Sequence, residues 1–367
     1  MLFLTRWFGV TASEAERNLT AEPAIIDEIV EHILAMQRNV AAQQRRRLAR
    51  GTHAKGVCAR AQFEILDVTA GRDRVLATRL AQGIYAKPGI YPTIVRFANS
   101  DPHVNSDFKG DVRALSFFVE LAPGTNTVRQ DYSMQSATTL PLNDAAAFLA
   151  AMKVLTAPNP ARGAWSLSFK DKLRFVRSML LVQSQVRGPT RPYQQLRYWS
   201  DVPFRHGPTE VVKYCATPRS GNSARALQKD NPNSLQDELI RHLDEDAEMS
   251  CFDFRLQFLD AEKMSYWGKR QDAGFWIENA SVEWDETQAP FHTVARLTLL
   301  PKSQLPADAS EAVYFDVTGN STPDSAPVGS INRARWPAEV ASRKARMRTD
   351  SRDAAQTSSR EIAAGAG

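Results

Sequence analysis

Six histidines (His32, His53, His103, His206, His242 and His292) are the first side chains to weigh for acid–base or metal chemistry. Imidazole is the side chain that changes charge near neutral pH. The six do not cluster at metal-ligand spacing, and a lone histidine is more often structural than catalytic. The sequence contains no His-Glu-x-x-His, Cys-x-x-Cys or Gly-x-Ser-x-Gly, and no phosphate-binding glycine loop of the P-loop or dinucleotide type. Several common enzyme classes are thereby removed. Three cysteines (Cys58, Cys215, Cys251) cannot all pair, and they predict a reducing, cytoplasmic compartment without a disulfide framework or a zinc site.

His53 stands apart because of its surroundings. It lies in Arg50-Gly51-Thr52-His53-Ala54-Lys55-Gly56, just before a predicted strand that ends Phe63-Glu64-Ile65. Further on come Ile94-Val95-Arg96-Phe97-Ala98-Asn99 and Asp111-Val112-Arg113-Ala114-Leu115-Ser116-Phe117. Together these segments resemble the haem catalase family. Its pattern has a basic residue three before His-Ala-Lys-Gly, a strand ending Phe-Glu, then Val-Arg-Phe, then Asp-x-Arg-Gly-Phe-Ala. The shorter catalase-related peroxidases of bacteria are resembled more closely still. Gln130-Asp131-Tyr132-Ser133-Met134, Tyr198-Trp199-Ser200, Ala289-Pro290-Phe291-His292-Thr293-Val294-Ala295-Arg296 and Val328-Gly329-Ser330-Ile331-Asn332-Arg333-Ala334-Arg335 look like segments of that subgroup. The match runs in order over roughly residues 20–347.

The resemblance implies haem b as cofactor and hydrogen peroxide or an organic hydroperoxide as substrate. His53 would be the distal acid/base, taking a proton from one peroxide oxygen and returning it to the other. Arg50 and Arg96 match positions that pair haem propionates, for which the guanidinium fork is suited; each could equally be an ordinary salt-bridge arginine. The resemblance implies a distal asparagine in the segment after Asp131, where Gln135 or Ser136 stands instead.

The sequence also departs from the family. The serine expected two residues after the Val-Arg-Phe arginine is Ala98, and Thr138-Thr139-Leu140-Pro141 replace aromatic residues of the pocket wall. Catalase-type iron is held by a tyrosinate, with an arginine four residues before it. Arg335 occupies the arginine position, but the residue four further on is Glu339, and no tyrosine follows Tyr314. Glu339 is therefore the candidate metal ligand through a carboxylate oxygen. The alternative is an Arg-paired surface carboxylate in a catalase-fold pseudoenzyme with weak haem or none. Pro337, between the two, could bend the helix that presents them.

These residues need a scaffold. Val57, Ala59, Ala61, Phe63 and Ile65 alternate with Cys58, Arg60, Gln62 and Glu64, the period of a half-buried strand. Residues 93–97, 115–121, 212–216, 252–258 and 294–300 follow the same rule, which predicts a sheet that closes or nearly closes. Helical spacing predicts helices over about 20–48 (capped by Thr20, with Pro23 in the first turn), 143–155, 169–182, 234–243 and 332–348. The fold class is α+β; the resemblance implies a catalase-like antiparallel β-barrel of about eight strands with peripheral helices. The expected organisation is an N-terminal segment and amphipathic helix (1–49) packed on the barrel, a haem-binding barrel domain (50–347) and a disordered tail (348–367).

With 43% hydrophobic and 24% charged residues, wholesale disorder and fibrous repeats are excluded. Lys+Arg exceed Asp+Glu by 46 to 41, too small an excess for a nucleic-acid partner. No apolar run approaches the ~18–20 residues of an integral membrane span. The apolar Met1–Phe8 packs, frays or touches a membrane surface. A polyanion or membrane-surface role for the basic runs Arg45–Arg50 and Arg343–Arg352 is a third reading, set against the rule that short charge runs are usually solvated faces. The oligomeric state is open.

Overall fold

A computed structural model describes residues 15–17, 21–45, 50–122 and 128–364, the last seventeen of these as backbone only. The predicted cap Thr20, the apolar start and Arg46–Arg47 lie outside the described residues.

Antiparallel strands form the centre. They are β1 (Gly56–Ile65), β2 (Gly89–Asn99), β3 (Arg113–Ala122), β4 (Val128–Gln135), β5 (Tyr198–Trp199), β6 (Phe204–His206), β7 (Glu210–Pro218), β8 (Ser250–Phe258) and β9 (Phe291–Gln304). The hydrogen-bonded order is β5-β4-β3-β2-β1-β9-β8-β7-β6, and a β5–β7 pairing closes eight of them into a barrel, with β6 attached to β7. Closure removes the open edges that a sheet of this size would otherwise expose.

Alternation sets what fills the barrel. Val57, Ala59, Ala61, Phe63 and Ile65 of β1 point inward with Phe97, Phe117, Tyr132, Tyr214, Phe252 and Phe254. The rings interlock, with Phe117 and Tyr132 stacked at 4.7 Å between centroids and Phe254 edge-on to both. The interior is therefore packed with aromatic and aliphatic side chains.

Helices cover that wall: α1 (Glu22–Gln43), α2 (Ala145–Leu155), α3 (Phe169–Gln185), α4 (Ser234–Ile240), α5 (Ala273–Glu278) and α6 (Ser330–Ala364). The apolar face of α1, Ile29 and Ile33, packs on Ala145, Leu149 and Met152 of α2 and on Ala334 and Ala338 of α6. Its partner is thus this pair of helices. It starts after Ala21 without a side-chain cap, and Pro23 sits in its first turn as predicted. α4 ends in a π-helical turn, Arg241–Glu245.

α6 follows Gly329, whose φ of +92° favours glycine and where a Cβ would lie 2.5 Å from the Ile277 carbonyl oxygen. Arg333, in the first turn, binds Glu16, Glu22 and Glu278 at 2.6–2.8 Å. Three carboxylates at a helix N-terminus suit the macrodipole. Pro337 is accommodated inside the helix. The backbone continues as helix to Ala364, over the stretch where composition predicts a disordered tail; its Ala, Gln, Glu and Arg residues are good helix formers.

Candidate functional site

One cavity lies between the outer face of β2–β4 and one side of α6. It offers about 300 Å³ to the centres of water-sized occupants. A single water needs only ~10–15 Å³ by that measure, so the space is ligand-sized. Arg96, Ser116 and Ser133 form its strand wall. They are register neighbours across β2, β3 and β4, on the face opposite the aromatic core. The helix wall is Ile331, Arg335, Ala338, Glu339, Ser342 and Arg346 of α6, spaced by three and four along one face. Apolar side chains contribute much of the remaining wall: Ile33, Leu140, Leu142, Phe148, Val202, Phe315 and Val317.

His53 lines this cavity at the entrance to β1. Its backbone sits in the left-handed region, φ +56°, which costs a non-glycine residue about 1–3 kcal/mol and must be held by its neighbours. Three contacts hold it. His53 N–H donates to the Ser100 carbonyl at 3.1 Å, and Arg96 Nη2 donates to the His53 carbonyl at 2.9 Å. Two residues on, Lys55 is buried against Asp107 at 2.7 Å. Asp107 in turn accepts from Asn99, which accepts from Tyr193. Gly56 makes room for Arg96, because a Cβ there would lie 2.7 Å from the guanidinium carbon.

The His53 ring has two hydroxyl neighbours, Thr52 Oγ1 at 3.0 Å from Nδ1 and Ser100 Oγ at 3.5 Å from Nε2. The serine missing at position 98 is thus matched by a hydroxyl two residues later. Ala98 itself is buried in the β2 ladder between Gly56 and Ala114. Burial, then the charges of Arg96, Arg335 and Arg50, push the His53 imidazole down to about pKa 3. At that value it is neutral at pH 7 and a weak base.

The arginines expected at the cofactor differ in what they already hold. Arg50 lines the cavity, but its Nη2 donates to the Ser310, Glu311 and Val313 carbonyls (2.5–3.4 Å), capping a short helix end, while its Nε is buried without a partner. Burial and the nearby Arg96 and Arg346 bring its pKa down to about 9. Arg335 Nε donates to Glu339 Oε1 at 2.6 Å.

The Glu339 side chain is half-buried, 32% exposed. It lines the cavity, and its Oε2 is buried with no hydrogen-bond partner. Burial raises its pKa, the more so with Asp316 and Asp131 nearby, while Arg335 opposes the shift. Gln135 reaches the cavity; Ser136 does not line it and accepts from Arg113 N–H at 2.9 Å, continuing the β3–β4 pairing. Among the described residues no group of three or more His, Cys, Asp or Glu side chains could cage a metal.

Two features went unread in the sequence. Asp201, between Ser200 and Val202 on the cavity wall, is buried with φ +60° and an unpartnered Oδ1. Burial lifts its carboxyl well above the ordinary range against the pull of Lys213 and Arg335. Nothing in the local sequence signals this. The other is the role of Gln130 and Asp131, which fix the 316–322 loop through Thr322 N–H, Asp316 N–H and Asn320. That loop brings Val317 to the cavity. Three arginines of the basic runs turn inward: Arg50 and Arg346 line the cavity, and Arg343 binds Asp316 at 3.2 Å.

No family model and no curated protein matches the sequence. Solved structures do match. A fungal catalase superposes with a TM-score of 0.57 at 15% identity, over 83% of this chain and 59% of that one. Catalase A from Saccharomyces cerevisiae gives 0.56 at 14%, over 83% and 61%. A bacterial catalase gives 0.55 at 15%, over 90% and 62%. The chain spans less than two thirds of the length of each of these catalases. At such identity the likeness is one of architecture, and with the closed eight-stranded barrel and its covering helices it establishes that the chain has the catalase fold.

Proposed function

We propose that the cavity takes haem b and that the chain is a hydroperoxidase for hydrogen peroxide or organic hydroperoxides. The observation that carries this reading is a convergence. His53, Gln135, Arg50, Arg96, Arg335 and Glu339, picked from four separate stretches of sequence, line one cavity whose remaining walls are largely apolar. A flat apolar group bearing two carboxylates fits that lining, and the buried, unpartnered Oε2 of Glu339 is a donor atom without a partner. Glu339 would hold the iron, with Arg335 favouring its anionic form. Arg50 and Arg96 would face the propionates. Bound haem supplies a ferric centre that exchanges electrons with the peroxide bond.

The chain's own residues supply the rest. Neutral His53 accepts a proton from one peroxide oxygen and returns it to the other. The Gln135 amide orients the peroxide by hydrogen bonding, while Ser136 braces the strand end. Carboxylates of a bound ligand would offset the guanidinium charges at His53, while the larger effect of burial would stay. The three free cysteines fit a reducing, cytoplasmic setting.

The test is peroxide consumption by the haem-loaded protein beside His53→Leu. The expected loss is about 10²–10⁴-fold with the Soret band unchanged. Equal turnover would remove His53 from the mechanism. The second reading, a catalase-fold pseudoenzyme, is favoured by one observation: Glu339 Oε1 already belongs to Arg335. It predicts a folded, colourless protein.

A further inference from the structure

The outer face of α3 carries apolar side chains that nothing among the described residues covers. The inner face packs through Phe175 on Ala150 and Val154 of α2, and Ser178 is buried. On the opposite side Phe169, Leu173, Val176 and Leu180 are 78%, 58%, 56% and 64% exposed. Their spacing of four, three and four residues puts them in one stripe. Trp165, just before the helix, is 81% exposed. A solvated helix face is polar, so a row of five large apolar side chains marks an interaction surface.

Charge decides the partner. The helix carries four basic residues against one acid, Asp171, which is held by Ser168 and Arg174. Lys170 and Arg177 are exposed along one flank of the stripe. Lys172 lies on the other, with Nζ 5.3 Å from the Trp165 ring. A second copy of the chain docking here would bring like charges together. An anionic bilayer surface satisfies both features: the stripe enters the acyl boundary, the cations meet headgroups, and a tryptophan sits at the interface. We propose that the outer face of α3, together with Trp165, docks on a membrane surface rich in anionic lipid. Gln185 at the end of α3 donates to Thr139 O and Oγ1, both at 2.9 Å, so a docked helix carries the body of the protein with it.

The test is co-sedimentation of the full chain with phosphatidylcholine vesicles, with and without phosphatidylserine. Binding is expected only with phosphatidylserine and weakens as salt rises. Lys170→Ser with Arg177→Ser should weaken it about 30-fold at low salt, at roughly fivefold per cation removed. Leu173→Asp with Leu180→Asp should abolish it. All four side chains point to solvent, so the far-ultraviolet circular dichroism should not change. No binding to phosphatidylserine vesicles, or binding that all the variants leave intact, would overturn the proposal. So would a dimer in analytical ultracentrifugation that Leu173→Asp dissolves. None of these readouts depends on haem, so the result stands apart from the reading of the cavity.

Discussion

Asp107→Ala should unfold the anchor of His53. Lys55 and Asp107 are 4% and 0% exposed, with Nζ and Oδ1 2.7 Å apart. At an effective dielectric constant of about 20 their attraction is about 6 kcal/mol, set against a desolvation cost of several kcal/mol per ion. The net pair is worth little compared with the penalty of stranding one member. Removing the carboxylate leaves a buried ammonium, and the expected loss of unfolding free energy is about 3–5 kcal/mol. Asn99 Nδ2 and the Leu235 N–H, at 2.9 and 2.8 Å, lose their acceptor as well. The double variant Lys55→Met/Asp107→Ala should therefore be more stable than Asp107→Ala alone, yet still below wild type, because Asn99 and Leu235 remain without their acceptor. Urea unfolding reads both numbers, and the His53 Cε1 proton resonance reports whether the loop has moved. A loss under about 1 kcal/mol, or a double variant as unstable as the sum of the singles, would refute the reasoning.

Further predictions concern acid stability and the start of α6. His206 is buried with Nε2 2.8 Å from the Arg79 carbonyl, and burial holds its pKa down at about 4. Between pH 6.5 and 4 the unfolded chain then binds the extra proton, so this residue's contribution to stability is full above pH 6.5 and is lost as the pH falls. His206→Gln, whose amide can still donate to Arg79, should show a shallower fall than wild type over that window in pH-dependent denaturation; parallel curves would contradict this. Gly329→Ala, with its Cβ 2.5 Å from a backbone oxygen, should cost about 1–3 kcal/mol or more by thermal melting. Arg333→Met strands Glu16, Glu22 and Glu278 together and should cost on the order of 3 kcal/mol in urea unfolding.

The barrel was legible because strand alternation is strict where one face is core. Residues 57–65, 93–97, 115–121, 212–216, 252–258 and 294–300 all fall within observed strands. β4 was read only as a motif, since Arg129, Gln130 and Asp131 break its alternation. They do so because they bind the segment 314–322 rather than face solvent. Two-residue β5, which closes the barrel, has no periodicity to read. The site divides in the same way. The cavity residues of α6 repeat at three and four, a pattern present in the sequence but masked by its basic character, which suggested a solvated face. Asp201 and Ser100 enter the site through loops whose positions depend on tertiary packing alone. Of Gln135 and Ser136, Gln135 at the end of β4 lines the cavity, while Ser136 lies just beyond the strand and does not. The i, i+4 spacing of Arg335 and Glu339 is legible in the sequence, while the place of Glu339 on the cavity arises from α6 lying against the barrel wall.

The central claim is that this cavity takes haem through Glu339. The most direct measurement is the absorption spectrum of the protein expressed with ample haem, beside Glu339→Ala and Glu339→Tyr. The account predicts a stoichiometric Soret band in wild type that is lost in Glu339→Ala and retained, with altered position, in Glu339→Tyr. A colourless wild type that gains the band only in Glu339→Tyr would contradict it and establish the pseudoenzyme reading.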